Sequence, residues 1–203
     1  MIVIVNYGLG NLTSILNMCK RLGIDAMISS ETEALRNASK IILPGVGHFK
    51  HGMEQLISSG LKDVLDEQVM QVGKPILGIC LGAQLMTQHS EEGNVEGLCW
   101  VDAVTVKFDM HAHSQLKVPH MGWSDVRFVD EHAIWKDLPD APRFYHVHSY
   151  HFNMLDEQYK SAITQYGYEF VCAFRKNNVY GVQFHPEKSH KYGMKLLQNF
   201  NEL

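Results

Sequence analysis

The sequence predicts an α/β fold with a mostly parallel central sheet, helices on its faces and added antiparallel strands. Three observations carry this expectation. Short apolar runs alternate with helically spaced segments through the first half of the chain. One of those runs passes directly into a helix through a glycine-flanked cysteine. The second half carries closely spaced strand-like segments with no long helix between them until the C-terminus.

The elements follow in order. Ile2–Val5 is a short apolar run of the kind buried on both faces. Leu12, Ile15, Leu16, Cys19 and Leu22 recur at helical spacing, and Gly23 supplies a stop. Ala26–Ile28 and Lys40–Leu43 are the next strands, the latter closed by Pro44-Gly45. A helical stretch covers Leu61–Val72 before Gly73. Pro75–Ile79 is the fourth strand, and Leu81–Gln88 begins a helix directly after it. The later strands are Val101–Phe108, Asp125–Val129, Phe144–Val147, Ser161–Thr164, Val171–Arg175 and Val179–Phe184. Met194–Phe200 forms a terminal helix.

With 203 residues, 45% hydrophobic and 20% charged, the chain is expected to form one domain over residues 1–203 with a substantial core. A net charge of −4 with no basic stripe argues against nucleic acid as a partner. The apolar N-terminus is too short for a signal peptide, and no run reaches membrane-spanning length, so a soluble, cytoplasmic location without membrane association is expected. Cys19, Cys80, Cys99 and Cys172 form no CxxC pair or zinc signature. Three of them, all but Cys80, fall in segments where cysteine is usually a small buried hydrophobe.

Cys80 stands apart. Gly78-Ile79-Cys80-Leu81-Gly82 is the thiol form of a nucleophile elbow. A tight strand-to-helix turn leaves no room for side chains at the two glycines. It lifts the sulfur to a helix N-terminus, where backbone N–H groups favour a thiolate. The Leu81 amide is then a natural donor to a developing oxyanion. A second segment ends Phe184-His185-Pro186-Glu187, at the close of a strand. In an extended segment His185 and Glu187 lean the same way, and a carboxylate beside an imidazole sets its tautomer and stabilises its cation. Alone, each segment has a bland reading: a buried cysteine in a turn, or a solvated strand end. Together they define a Cys80–His185–Glu187 set.

These segments, with Pro44-Gly45-Val46-Gly47, resemble the class I (triad) glutamine amidotransferases. Asn6-Tyr7-Gly8-Leu9-Gly10-Asn11-Leu12, Pro119-His120-Met121-Gly122-Trp123, Val147-His148-Ser149-Tyr150 and His185–Ser189 narrow the resemblance to the glutaminase subunits of imidazole glycerol phosphate synthases. The resemblance implies the amidotransferase fold and the hydrolysis of glutamine to glutamate and ammonia. It implies attack by Cys80, proton transfer by His185 and orientation of His185 by Glu187. Val46 and Leu81 would form the oxyanion hole. Gly47, Gln84, Glu92, Ser149 and Tyr150 would surround glutamine. Asn11, Trp123, Tyr145 and Lys188 would meet a (β/α)8-barrel synthase in a heterodimer. That partner would use the ammonia to form imidazole glycerol phosphate and an aminoimidazole carboxamide nucleotide in histidine biosynthesis. No cofactor is implied.

Glu92 can equally be a solvated helix end, and Trp123 an ordinary core residue. The chain departs from the family pattern at His48-Phe49-Lys50-His51, Ser124-Asp125 and His146, all expected near the partner surface or the oxyanion loop. Related subunits supply ammonia for amidino-sugar formation in surface-polysaccharide pathways, which is the alternative acceptor. A stand-alone cysteine hydrolase and a non-catalytic interaction module are the other readings. Among the 12 histidines, His111-x-His113 and His146-x-His148-x-x-His151 are the best candidates for metal. They lack cysteine or acidic neighbours at ligand spacing, so no metal site is expected. Asn6–Asn11 lacks the full phosphate-binding glycine spacing and is expected to be a tight turn whose Asn11 caps the following helix.

Overall fold

The computed structural model describes residues 1–111 and 115–203. Its first half runs β1 (Ile2–Val5), α1 (Leu12–Arg21), β2 (Ala26–Ser29), α2 (Thr32–Asn37), β3 (Lys40–Gly45), α3 (Phe49–Ser58), α4 (Leu61–Asp66), a π-helical turn at Glu67–Gln71, β4 (Ile76–Cys80) and α5 (Leu81–Gln84). Its second half contains β5 (His89–Ser90), β6 (Val95–Glu96), β7 (Ala103–Lys107), β8 (His120–Asp125), β9 (Arg127–Phe128), β10 (Arg143–His148), β11 (Tyr150–Met154), β12 (Lys160–Tyr166), β13 (Tyr168–Lys176) and β14 (Val179–Val182). A 3-10 turn at Pro186–Lys188 and α6 (His190–Glu202) close the chain.

The main sheet begins β2-β1-β3-β4-β14, all parallel, and continues through antiparallel β13. Alternate residues of the parallel strands enter opposite cores. Val3 and Val5 join one hydrophobic cluster, and Ile2 and Ile4 join the other. Each such fully buried side chain contributes about 1.5–3 kcal/mol. This two-sided burial explains why β1, β3 and β4 read as continuous apolar runs rather than alternating ones. In α1, Ile15 and Cys19 face the core while Lys20 and Arg21 complement the dipole in the last turn. Gly23 takes φ +70 beyond it, as a helix stop requires.

Four local expectations are corrected. The helix after Cys80 is one turn long: it ends at Gln84, and the chain then turns to place Thr87 and Ser90 inside. Asn11 stands at the N-cap of α1 but its side chain makes no capping bond; only its carbonyl accepts, from Ile15 N. Cys99 is exposed, at φ +57, rather than a small buried hydrophobe. Helix α3 begins at Phe49, within the segment noted only for its unusual residues, because Phe49, Met53 and Leu56 form a buried stripe.

β8 and β10 form a separate two-stranded antiparallel sheet, with Tyr145 opposite Trp123 and His148 opposite His120. The pleat sends Phe144, His146 and His148 inward. Phe144 stacks on Phe184, with centroids 4.0 Å apart. This sheet therefore seats the chain leading to His185 against the parallel core.

Candidate active site

The C-terminal ends of β3, β4 and β14 are neighbours in register, with Gly45 opposite Cys80 and Val182 opposite Ile79. Cys80 is the turning point, at φ 51 and ψ −113. The glycines beside it are dictated by contact. A Cβ on Gly82 would lie 1.9 Å from the Leu43 carbonyl oxygen, and one on Gly78 would lie 2.6 Å from Ala83 Cα. Glycine at both positions lets α5 start directly against β3, so the Leu81 amide stands at a helix N-terminus beside the sulfur.

His185 is 1% exposed. Its Nδ1 pairs with Glu187 Oε1 at 2.8 Å, and both side chains are buried. The linking backbone is a 3-10 turn rather than the extended segment expected. Tightening the chain at Pro186 still brings the two side chains together. Ser189 Oγ donates to the His185 carbonyl and accepts from Tyr145 N at 3.0 Å, which ties the turn to β10. Burial opposes a charged His185, but the nearby Cys80 sulfur and the Glu187 carboxylate outweigh it and push its pKa up to about 10. Nε2 makes no well-aligned hydrogen bond. Nε2 is thus left without a protein partner, while the Cys80 sulfur acts on the ring mainly through charge.

A cavity opens over these groups. Val46, Gly47, Cys80, Leu81, Gln84, Glu92, Ser149, Tyr150 and His185 all line it, as does Lys188. Pro119, Val147 and His148 line it too, and the sequence did not single them out for this. Gly47 has φ +107 and Val46 is 40% exposed, so the segment after β3 is a glycine-dependent, partly open wall. Tyr7, from the loop after β1, donates its hydroxyl to the Pro44 carbonyl at 2.8 Å. That buried phenol supports the segment from below, its ionisation suppressed by burial and by the charge of Cys80.

Glu92 is half-buried and has a partner. Its Oε2 accepts from Phe49 N at 2.7 Å, at the first turn of α3, where the helix dipole favours a carboxylate. It thus joins the cavity wall to the helix that follows Gly47. Gln84 donates to the Tyr150 carbonyl at 3.2 Å and to Gln183 Oε1 at 3.1 Å.

The four residues expected at a partner surface divide. Tyr145 and Trp123 meet edge to face at 5.9 Å, Trp123 stacks on His190 at 5.4 Å, and Lys188 Nζ lies 5.5 Å from the Tyr145 ring centroid. Trp123 is 38% exposed and is no core residue. Asn11 takes part in none of these contacts; it stands at the start of α1, which packs against the Pro186–Lys188 turn.

His146 is the main correction. It is fully buried rather than at the partner surface, because the β10 pleat turns it inward while Tyr145 and Val147 face out. His120, not His151, completes its cluster, with ligand-type atoms within 4.8 Å of one another. His151 instead pairs with Tyr168 Oη at 2.8 Å. His148 Nδ1 donates to the Tyr150 carbonyl at 2.8 Å, so its Nε2 must accept, and His146 Nδ1 donates to it at 3.1 Å. Burial pushes His120 down to about 4 and holds His146 and His148 well below the ordinary range. Only His146 and His148 are hydrogen-bonded to each other; His120 stacks on His146 and bonds Ser124 Oγ, and His120 Nδ1 and His146 Nε2 have no partner among the described residues. His113 lies outside the described residues.

Comparison with known proteins agrees with this geometry. The family model of class-I glutamine amidotransferases matches residues 3–202. An imidazole glycerol phosphate synthase subunit HisH 2 of Methanococcus maripaludis is 48% identical over 98% of both chains. A subunit of the same name from Pseudomonas aeruginosa is 48% identical over the whole of both chains. A crystal structure of a glutamine amidotransferase superposes with a TM-score of 0.77 at 19% identity, covering 98% of this chain and 97% of that one, which speaks to the fold alone. The chain belongs to the class-I glutamine amidotransferases and, within them, to the family of the imidazole glycerol phosphate synthase HisH subunits.

Proposed function

We propose that this chain hydrolyses glutamine through Cys80, His185 and Glu187. The ammonia passes to a (β/α)8-barrel synthase subunit, which forms imidazole glycerol phosphate and aminoimidazole carboxamide ribonucleotide in histidine biosynthesis. The observation that carries the glutaminase chemistry is a buried, carboxylate-paired imidazole beside a cysteine held at a strand–helix turn. The histidine-pathway acceptor rests on the names of the relatives.

In this reading the Cys80 sulfur attacks the side-chain amide carbon of glutamine. The Leu81 and Val46 amides hold the oxyanion, and His185 gives its proton to the departing ammonia. Water activated by His185 then cleaves the thioester, releasing glutamate and restoring the thiolate–imidazolium pair. Glu187 keeps Nδ1 protonated throughout. Gln84, whose amide nitrogen is engaged by Tyr150 and Gln183, presents its oxygen to the substrate. Glu92 offers its second oxygen to the substrate ammonium. Trp123, Tyr145 and Lys188 form an aromatic, cationic face for the synthase, with Asn11 beside it, in a cytoplasmic heterodimer.

Co-expression with the cognate synthase tests the proposal. The pair is expected to make imidazole glycerol phosphate from glutamine and to support growth without histidine in a strain lacking the pathway amidotransferase. A pair that hydrolyses glutamine but never makes that product removes the histidine reading. An amidinated sugar among its products establishes the alternative acceptor. With His146 turned inward, the exposed His48, Lys50, His51 and Asp125 are the surface departures that remain to favour that alternative.

A further inference from the structure

Cys80 receives more from the strand that carries His185 than its base. β14 runs parallel to β4, and extending their pairing one step beyond Val182 and Ile79 sets Gln183 beside Cys80. Gln183 is fully buried, at the bend where the chain leaves β14 two residues before His185. Its Nε2 lies 3.8 Å from Cys80 Sγ.

The direction of this amide is determined. Gln183 Oε1 accepts from Gln84 Nε2 at 3.1 Å. Gln84 must donate there, because the other contact of the same nitrogen is the Tyr150 carbonyl, which can only accept. With its oxygen held by Gln84, Gln183 can present only N–H to the sulfur. A carbonyl on β11 therefore fixes Gln84, Gln84 fixes Gln183, and Gln183 addresses the nucleophile.

We infer that Gln183 is a further catalytic residue of the glutaminase reaction: its side-chain N–H donates to the Cys80 thiolate and holds the sulfur in line for attack. The inference rests on the reading of Cys80 as nucleophile. An N–H donor stabilises an anionic sulfur far more than a neutral thiol, so it favours the reactive form. Gln84 lines the substrate cavity, so glutamine binding bears on the same amide that steadies the sulfur.

The test is the pH profile of Cys80 alkylation by iodoacetamide. It is followed by mass spectrometry of the Cys80 peptide, because Cys99 is exposed and reacts independently. The charged and titratable groups facing the sulfur or its cavity are His185, Tyr7, His148, Tyr150, Glu92 and Lys188, and all are retained in the variants. In Gln183→Met the pH of half-maximal alkylation should rise by about one unit, and the rate at pH 6 should fall about tenfold. With the synthase bound, kcat for glutamine should fall more than KM rises. Gln183→Glu retains the shape but replaces the donor by an acceptor, and it should shift the profile further in the same direction. A purely structural role predicts lower melting temperatures with an unchanged profile. An unmoved profile in either folded variant overturns the inference. If both variants melt early, the profile is read below the melting temperature, where a shift of the same sign supports the inference and its absence overturns it. The parent reading fails separately, if Cys80→Ala still hydrolyses glutamine.

Discussion

His185 and His146 are both almost fully buried, and they sit close enough for the charge of one to be felt by the other. Their protonation is nevertheless driven in opposite directions. His146 has neutral histidines around it and Phe170 and Phe184 against it, and burial pushes its pKa well down. His185 suffers the same burial, but Cys80 and Glu187 raise it to about 10. Burial alone makes an imidazole a neutral packing element. Cys80 and Glu187 beside it keep a proton on it. The difference between core and active site here is two counter-groups, not depth.

Removing the sulfur breaks the comparison most severely. Cys80→Ala should lower glutamine hydrolysis by about a thousandfold or more while the synthase still uses free ammonia, as glutamate release and ammonia-driven product formation will show. Glu187→Gln should lower kcat by about a hundredfold to ten-thousandfold. It also sharpens the electrostatic argument. A His185 pKa raised to about 10 contributes stability that is full below the ordinary value near 6.5 and is lost as pH rises through about 10. The melting-temperature gap between native protein and Glu187→Gln should therefore be widest at neutral and lower pH and close toward pH 10.

Gly82→Ala tests the elbow itself. A Cβ 1.9 Å from the Leu43 oxygen forces β3 and α5 apart, and urea unfolding should show a loss of about 3 kcal/mol. The smallest effect at neutral pH belongs to His146→Phe, with glutaminase activity within about twofold of native. Its signature lies in acid. His120 protonates only near 4 in the folded chain, and His146 and His148 lie well below 6.5. The unfolded chain takes up protons first, so stability is full above about 6.5 and falls as pH drops toward 4. Melting temperature should fall less steeply over that window in His146→Phe, because one of the proton acceptors of the unfolded chain is gone.

Much of the site was legible because its chemistry is local. The glycine spacing around Cys80 and the two-residue spacing of His185 and Glu187 follow from the shape of a single turn each. Gln183 was not legible, because it lies at the bend after β14 and its contact with Cys80 spans 103 residues of chain. Glu92 was not legible, because its partner Phe49 N is 43 residues away and belongs to a helix whose start the sequence did not announce. His146 was misplaced because alternation along a strand says which residues share a face but not which face is inside.

The sequence by itself determined the parallel core, whose strands are apolar on both faces, and the tight turns that carry Cys80 and His185. Both depend on neighbours a few residues apart, where backbone geometry leaves few choices. Only the tertiary structure decided that Gln183 addresses the sulfur, that Glu92 caps a distant helix, and that one buried histidine carries a charge while another is kept neutral. Those outcomes depend on which groups meet across strands, and on the balance between desolvation and counter-charge that arises only once they have met.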